Sequence, residues 1–187
     1  MTETNDRQLI EQYLDGDETS LNLLVGKYFR RVYSFVYLLV NDKKEAEDLT
    51  QETFVKAWRG LKKFDSSKNF RAWLLTIAKN CAIDYWRRKK SLPFSQLEQD
   101  GISVLESLTD GAPLPSEQVE KIISTVQLSR SLADLPAKQR AIISLYYEDG
   151  LNFREISEIM NESINTVKSR HRRALFFMRR SMDKSNI

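Results

Sequence analysis

The apolar residues of this chain recur at intervals of three and four, and no stretch alternates as a half-buried strand would. Leu21, Leu24, Tyr28, Val32, Phe35 and Leu39 form one stripe, on a helix ending near Asn41 and Asp42. Ala46, Leu49, Thr53, Ala57 and Leu61 mark a second stripe, and Phe70, Leu74, Ile77, Cys81 and Tyr85 a third. A shorter helix, around Asp6 to Leu14, precedes them and stops at Gly16. Three or four amphipathic helices can enclose a compact core, so residues 1–90 read as one domain.

Residues 91–118 interrupt the periodicity. Pro93, Gly101, Gly111, Pro113 and Pro115 stand among serines and acids, as in an extended, flexible linker. Its apolar residues, among them Leu92, Phe94, Leu97, Ile102 and Leu105, predict that it docks somewhere instead of running free through solvent. Helical signals resume at Val119, Ile122, Ile123 and Val126. Pro136 then fits the first turn of a helix through Ala141, Ile142, Leu145 and Tyr146 that Gly150 ends. Two further helices, near 153–160 and 164–180, complete a second domain over residues 119–187. The fold class is all-α.

Phe153 to Arg172 has the spacing of a helix-turn-helix. Ile156 and Met160 face inward, and Ser157 is small where two helices must approach closely. Asn161 occupies the turn, where asparagine tolerates a left-handed backbone. On a 3.6-residue wheel the second helix divides into two faces. Ile164, Val167, His171, Ala174, Leu175 and Met178 share the apolar one, where His171 reads as a packed core residue. Asn165, Lys168, Ser169, Arg172, Arg173, Arg179 and Arg180 share the other. A basic face is usually just solvated, but this one has no acid to balance it. Laid in a major groove, such a helix brings Asn165, Lys168, Ser169 and Arg172 to base edges, with Thr166 and Arg170 beside phosphates. Phe176 falls on the polar face, where neither reading accounts for it.

The charge pattern widens that picture. Residues 59–90 carry 10 basic and 2 acidic side chains, and residues 163–182 carry 6 basic and none acidic. Between them, residues 91–120 carry 6 acidic side chains and none basic. Two positive zones on either side of a negative connector suggest two contacts with one polyanion. Enzyme chemistry is poorly provided for. The scattered glycines form no phosphate loop, and the lone His171 and lone Cys81 have no neighbours at metal-ligand spacing, so no cofactor or metal is expected. One cysteine allows no internal disulfide; the polar start Met1 to Leu9 is not expected to act as a secretory signal, and no apolar run approaches the roughly 18 residues that span a bilayer. A cytoplasmic location is the default expectation.

Two groups in the first domain carry candidate chemistry. Asp48, Gln51 and Glu52 point away from the second apolar stripe; an acidic patch cannot help DNA binding, so it suits a basic protein partner. Asn69, Trp73, Thr76, Asn80 and Arg87 line up beside the third stripe. Aromatic and amide groups together suit an unpaired base, although a tryptophan alone is as often plain packing. Arg87, Arg88, Lys89 and Lys90 close that helix, where positive charge complements the dipole and also suits a phosphate backbone.

Taken in order, four segments resemble the extracytoplasmic-function (group IV) sigma factors of bacterial RNA polymerase. They are Asp48-Leu-Thr-Gln-Glu-Thr-Phe54, Phe70-Arg-Ala-Trp-Leu-Leu-Thr-Ile-Ala-Lys-Asn80 with Asp84, Leu135-Pro136 through Arg140, and Gly150-Leu-Asn-Phe-Arg-Glu-Ile156 leading to Asn165-Thr-Val-Lys-Ser-Arg170. The resemblance implies sigma domain 2 and sigma domain 4 joined by the acidic linker. It gives Asp48, Gln51 and Glu52 the clamp helices of the polymerase β′ subunit. It gives the loop from Phe64 to Asn69, including Lys68, with Trp73 and Asn80 behind it, a base flipped out of the promoter −10 element. Arg87 and Arg88 would hold the adjoining backbone. Domain 4 would grip the β flap and read the −35 element through Lys168, Ser169, Arg172 and Arg173. The linker would thread the polymerase cleft in place of nucleic acid, and an anti-sigma factor is an expected partner. The main competing reading is an ordinary helix-turn-helix regulator with residues 1–90 as a sensor or dimerisation domain; a second is a protein-interaction module whose basic faces are incidental.

Overall fold

The computed structural model describes residues 6–90 and 131–184, and all regular structure among them is helical. The linker and the helical signals at 119–126 lie outside the described residues. In order the helices are α1 (Asp6–Leu14), α2 (Glu18–Val40), α3 (Lys43–Leu61), α4 (Phe70–Lys90), α5 (Ala137–Tyr147), α6 (Phe153–Met160) and α7 (Ile164–Lys184). The described residues divide into two compact units, one within Met1–Phe94 plus Arg154–Glu162 and one within Ser95–Phe153 plus Ser163–Ile187.

Short polar residues punctuate the first unit. α1 closes at Gly16, whose φ of 104° an L side chain rarely adopts, with Gly16 N–H donating to the Tyr13 carbonyl and Asp17 N–H to that of Gln12. Asp17 then caps α2 by accepting from Thr19 N–H at 2.9 Å and from the Ser20 hydroxyl at 2.7 Å. Those donors hold its carboxyl below the usual carboxylate range. At the far end Asn41 turns left-handed, φ 55°, and donates to the Tyr37 carbonyl; Asp42 immediately caps α3 through Glu45 N–H. One residue ends a helix and the next starts another, so the α2–α3 corner is tight.

The core of this unit is α2 packed on α1, α3 and α4, with α3 also against α4. Leu24, Val32, Phe35, Val36, Ala46, Ala57, Leu74, Ala78 and Cys81 are fully buried. Thr50 and Thr53 are buried too, their hydroxyls donating back to the Ala46 and Leu49 carbonyls, so neither leaves an unpaired polar group. Two of the expected core positions, Leu21 and Ile77, are only half-buried. Leu75, Ala78 and Ala82 are buried instead, because α4 is covered by two helices and needs a face wider than one stripe. Trp86 Nε1 donates to the Leu39 carbonyl at 3.2 Å, and Tyr28 with Lys27 binds Asp6, fastening α4 and α1 to α2.

In the second unit α5 packs on α7, and Leu135, Ile143, Ala174 and Met178 share a core with Leu132 against it. Pro136 caps α5, one residue before the helix proper. Buried Arg140 donates from Nη1 to the Ala133 carbonyl at 3.0 Å, tying the entering chain to the helix. Gly150, φ 65°, lets the chain leave α5, and Leu151 N–H donates back to the Leu145 carbonyl. No helix of the described residues is long and apolar enough to cross a membrane.

Candidate nucleic-acid interface

The entry into α7 is built backwards from α6. That helix ends at Asn161, φ 53°, with Asn161 N–H donating to the Glu158 carbonyl and Glu162 N–H to the Ser157 carbonyl. This paired closure needs a left-handed residue, which asparagine supplies. Ser157 also donates its hydroxyl to the Arg154 carbonyl, which lets a polar residue be buried on α6. Two residues later Ser163 starts α7: its Oγ accepts from Thr166 N–H at 3.1 Å and lies 2.8 Å from Thr166 Oγ1.

Along α7, Val167, Ala174 and Met178 are buried as expected. Ile164 and Leu175 are not; their relative exposures are 36% and 39%, which corrects their assignment to the inner face. The inward line runs through buried 167, half-buried 171, and buried 174 and 178, a narrower seam than the wheel suggested, and both residues lie off it. Asn165, Lys168, Arg172, Arg173, Arg179 and Arg180 are exposed, while Thr166, Ser169 and Arg170 are half-buried at the edges. Asn165, Thr166, Ser169, Arg170 and Arg173 line a shallow hollow of about 380 Å³. Arg173 donates to Ser169 Oγ at 3.0 Å, so these two arrive as a pair. Phe176 and Phe177 are exposed beyond them, at 63% and 51%. His171 packs among aromatic rings, as the sequence predicts, but is half-buried and not in the core.

On α4 the expected stripe is present, but its members do different work. Asn69 caps the helix, its Oδ1 accepting from Ala72 N–H at 3.2 Å. Trp73 is half-buried, with ring centroids 4.8 Å from Phe64 and 5.6 Å from Phe70. Gly60 lies against its edge: a Cβ there would stand 3.3 Å from Trp73 Cζ2. Packing thus occupies much of the indole. Thr76 spends its hydroxyl on the Ala72 carbonyl. Asn80 is exposed, as is Lys68 in the preceding loop. Asn69 to Arg87 spans 18 residues, about 27 Å along a helix, so the stripe is a track and not a single pocket. Arg87 lies 3.5 Å from Asp84, and Arg88 3.7 Å from Glu52.

That last pair links two groups that the sequence kept apart. Asp48 and Gln51 are exposed on α3, whereas half-buried Glu52 binds Lys56 at 2.8 Å besides meeting Arg88. Glu52 in turn raises the Lys56 ammonium pKa. Sequence reasoning missed Phe29. Its ring lies parallel to Phe54 at 6.2 Å yet stays 43% exposed, and Val55 beside Phe54 is 46% exposed. Phe29 lies off the α2 stripe, which was the available signal. Among the described residues no group of His, Cys, Asp and Glu could hold a metal ion.

Residues 24–92 match the family Sigma-70 region 2, and residues 125–176 match Sigma-70, region 4. The ECF RNA polymerase sigma factor SigW of Bacillus subtilis is 30% identical over 94% of this chain and 96% of its own. The ECF RNA polymerase sigma-E factor of Escherichia coli K12 is 34% identical over 90% of each. The sigma factor RpoE of Bartonella quintana, solved in complex with the anti-sigma factor NepR, has the same fold. Its TM-score is 0.62 at 24% identity, covering 87% of this chain and 96% of that one. With both regions matched in order and relatives of this identity covered over nearly their whole length, the chain belongs to the extracytoplasmic-function sigma factors, the subunits that direct RNA polymerase to promoters.

Proposed function

We propose that the chain divides promoter recognition between its two parts, domain 2 over residues 1–90 and domain 4 over residues 119–187. The exposed row Asn165, Lys168, Arg172 and Arg173 enters the major groove of the −35 element, with Thr166 and Arg170 against the flanking phosphates. The observation that carries this reading is a capped helix with six basic residues and no acid over 163–182, five of the six exposed. At the −10 element, the loop carrying Lys68 and Asn69 and the Trp73–Phe64 wall receive an extruded base. Asn80 and Arg87 hold the strand further along α4. Since Arg88 is engaged with Glu52, it acts on the backbone only by exchanging that partner.

Asp48 and Gln51, with Glu52 behind them, bind the clamp helices of the polymerase β′ subunit, and domain 4 binds the β flap. An anti-sigma factor is a further partner, by analogy with the Bartonella protein. The protein acts in the cytoplasm and supplies no catalysis itself. Unstacking a base costs on the order of a few kcal/mol. A surface that binds only the extruded base offsets that cost and shifts DNA toward the open state. Run-off transcription with purified core polymerase on a genomic promoter pool tests the proposal. Discrete start sites that appear only with the protein are expected. Tight palindromic DNA binding by the isolated chain, without start-site selection, would instead indicate an ordinary helix-turn-helix regulator.

A further inference from the structure

The chain has a single histidine, and the fold puts it on the inner flank of the helix that carries the basic face. The His171 ring centroid lies 4.9 Å from that of Tyr146, 5.7 Å from Tyr147 and 5.2 Å from Phe153. Tyr146 and Phe153 themselves stack at 4.9 Å. The tyrosines come from the last turn of α5, and Phe153 opens the helix that follows the Gly150 turn. The imidazole is therefore where α7 meets the elements before it in this unit. Its Nε2 is buried and finds no hydrogen-bond partner among the described residues. A neutral ring tolerates this, since one of its nitrogens need not donate. An imidazolium does not, because it adds a buried N–H donor and a charge among apolar rings.

We propose that His171 is a positioning residue: its neutral ring seats α7 against Tyr146, Tyr147 and Phe153 so that the basic face is presented to the −35 duplex, and protonation loosens that seat. The proposal rests on the reading of α7 as the duplex reader. Two phenols and one phenyl ring face the imidazole from the preceding elements, while Arg170 and Arg172 flank it on α7 itself. Burial alone holds it below the ordinary histidine value, and no carboxylate of α5, α6 or α7 contributes. The consequence runs against simple electrostatics. An added positive charge on a DNA-binding helix ordinarily strengthens phosphate attraction. Here it undoes the presentation, so acid weakens −35-dependent binding.

The test uses holoenzyme assembled from core polymerase and the full chain. Affinity for a promoter duplex with an intact −35 element is compared with that for a scrambled one, at pH 7.5 and 5.5 and constant ionic strength. For the wild type, the intact-to-scrambled ratio should fall on acidification. Because pH 5.5 lies about one unit below the ordinary histidine value, the loss over this range is at most about tenfold, however far the seated pKa is depressed. His171→Phe, which fills the seat with a ring that cannot be protonated, should hold its ratio across the same range. A second readout does not depend on that variant folding: as the only histidine in the chain, His171 gives one imidazole resonance in the free protein, and it should titrate below 6.5. Titration at or above 6.5, a ratio that rises in acid, or identical profiles for wild type and His171→Phe would each overturn the role of His171. Equal binding of intact and scrambled duplexes already at pH 7.5 would instead strike the reading of α7 on which it rests.

Discussion

Asn41 and Asn161 do the same work at two corners: each accepts a left-handed backbone where a helix must stop within one or two residues of the next cap. Asn161 was legible in the sequence because its place between two short helices calls for such a residue. Ile164 and Leu175 were misread for an equally local reason. A helical wheel assigns faces by angle, whereas burial depends on how wide a partner the helix meets, and α7 meets a narrow one. Arg172 is exposed on the outward row, so Arg172→Ala should cost about 1–3 kcal/mol at one promoter base pair, measured by competition among single-base variants of the −35 duplex. A uniform loss over all variants would make it a phosphate contact instead. Cys81 is fully buried, and burial pushes its thiol pKa up. It should therefore resist a thiol reagent at neutral pH in the native protein and react fully once urea unfolds domain 2. Rapid labelling of the folded chain would show that the α3–α4 core is open.

At the scale of the helices, the three-and-four spacing located every described element to within a few residues, and α1 to its ends. What it did not show was which polar side chains turn inward. Glu52 reads from sequence as one of an exposed acidic trio, yet α4 crosses near enough for Arg88 to reach it at 3.7 Å. For Trp73 the sequence leaves stacking surface and plain packing equally open, and the chain around Gly60 and Phe64 folds back onto part of the indole. Both features come from contacts between elements, which no single helix encodes. Two further tests belong here. Ser163→Ala removes the cap of α7 and should destabilise domain 4 by about 1 kcal/mol, read from urea unfolding followed by helical circular dichroism; an unchanged midpoint would rule out a stabilising cap. Asp48→Lys reverses a charge that is exposed and makes no ion pair among the described residues. It should weaken the complex with core polymerase severalfold while leaving the fold intact. Undiminished affinity by competition against the wild type would move the polymerase contact off this part of α3.

For the whole molecule, the sequence distributes charge in three blocks, and the structure gives the two positive ones separate supports, α4 with its preceding loop and α7. That division is what a promoter with two spaced elements requires. It was legible because acidic and basic residues segregate along the chain itself, over 91–120 and over 59–90 and 163–182. The role of each side chain in opening DNA was less legible, because the track on α4 mixes caps, packing and free amides. Asn69 and Asn80 are both exposed amides of that track, but Asn69 caps the helix, which leaves Asn80 as the amide offered to the opened strand. The most direct measurement is permanganate reactivity of promoter thymines in the −10 region, with holoenzyme carrying wild-type protein or Asn80→Ala. Wild-type protein should make those thymines reactive, and Asn80→Ala should suppress the signal severalfold while binding core polymerase normally. Thymines equally reactive with the variant, or with core polymerase alone, would contradict the claim that α4 holds the opened strand.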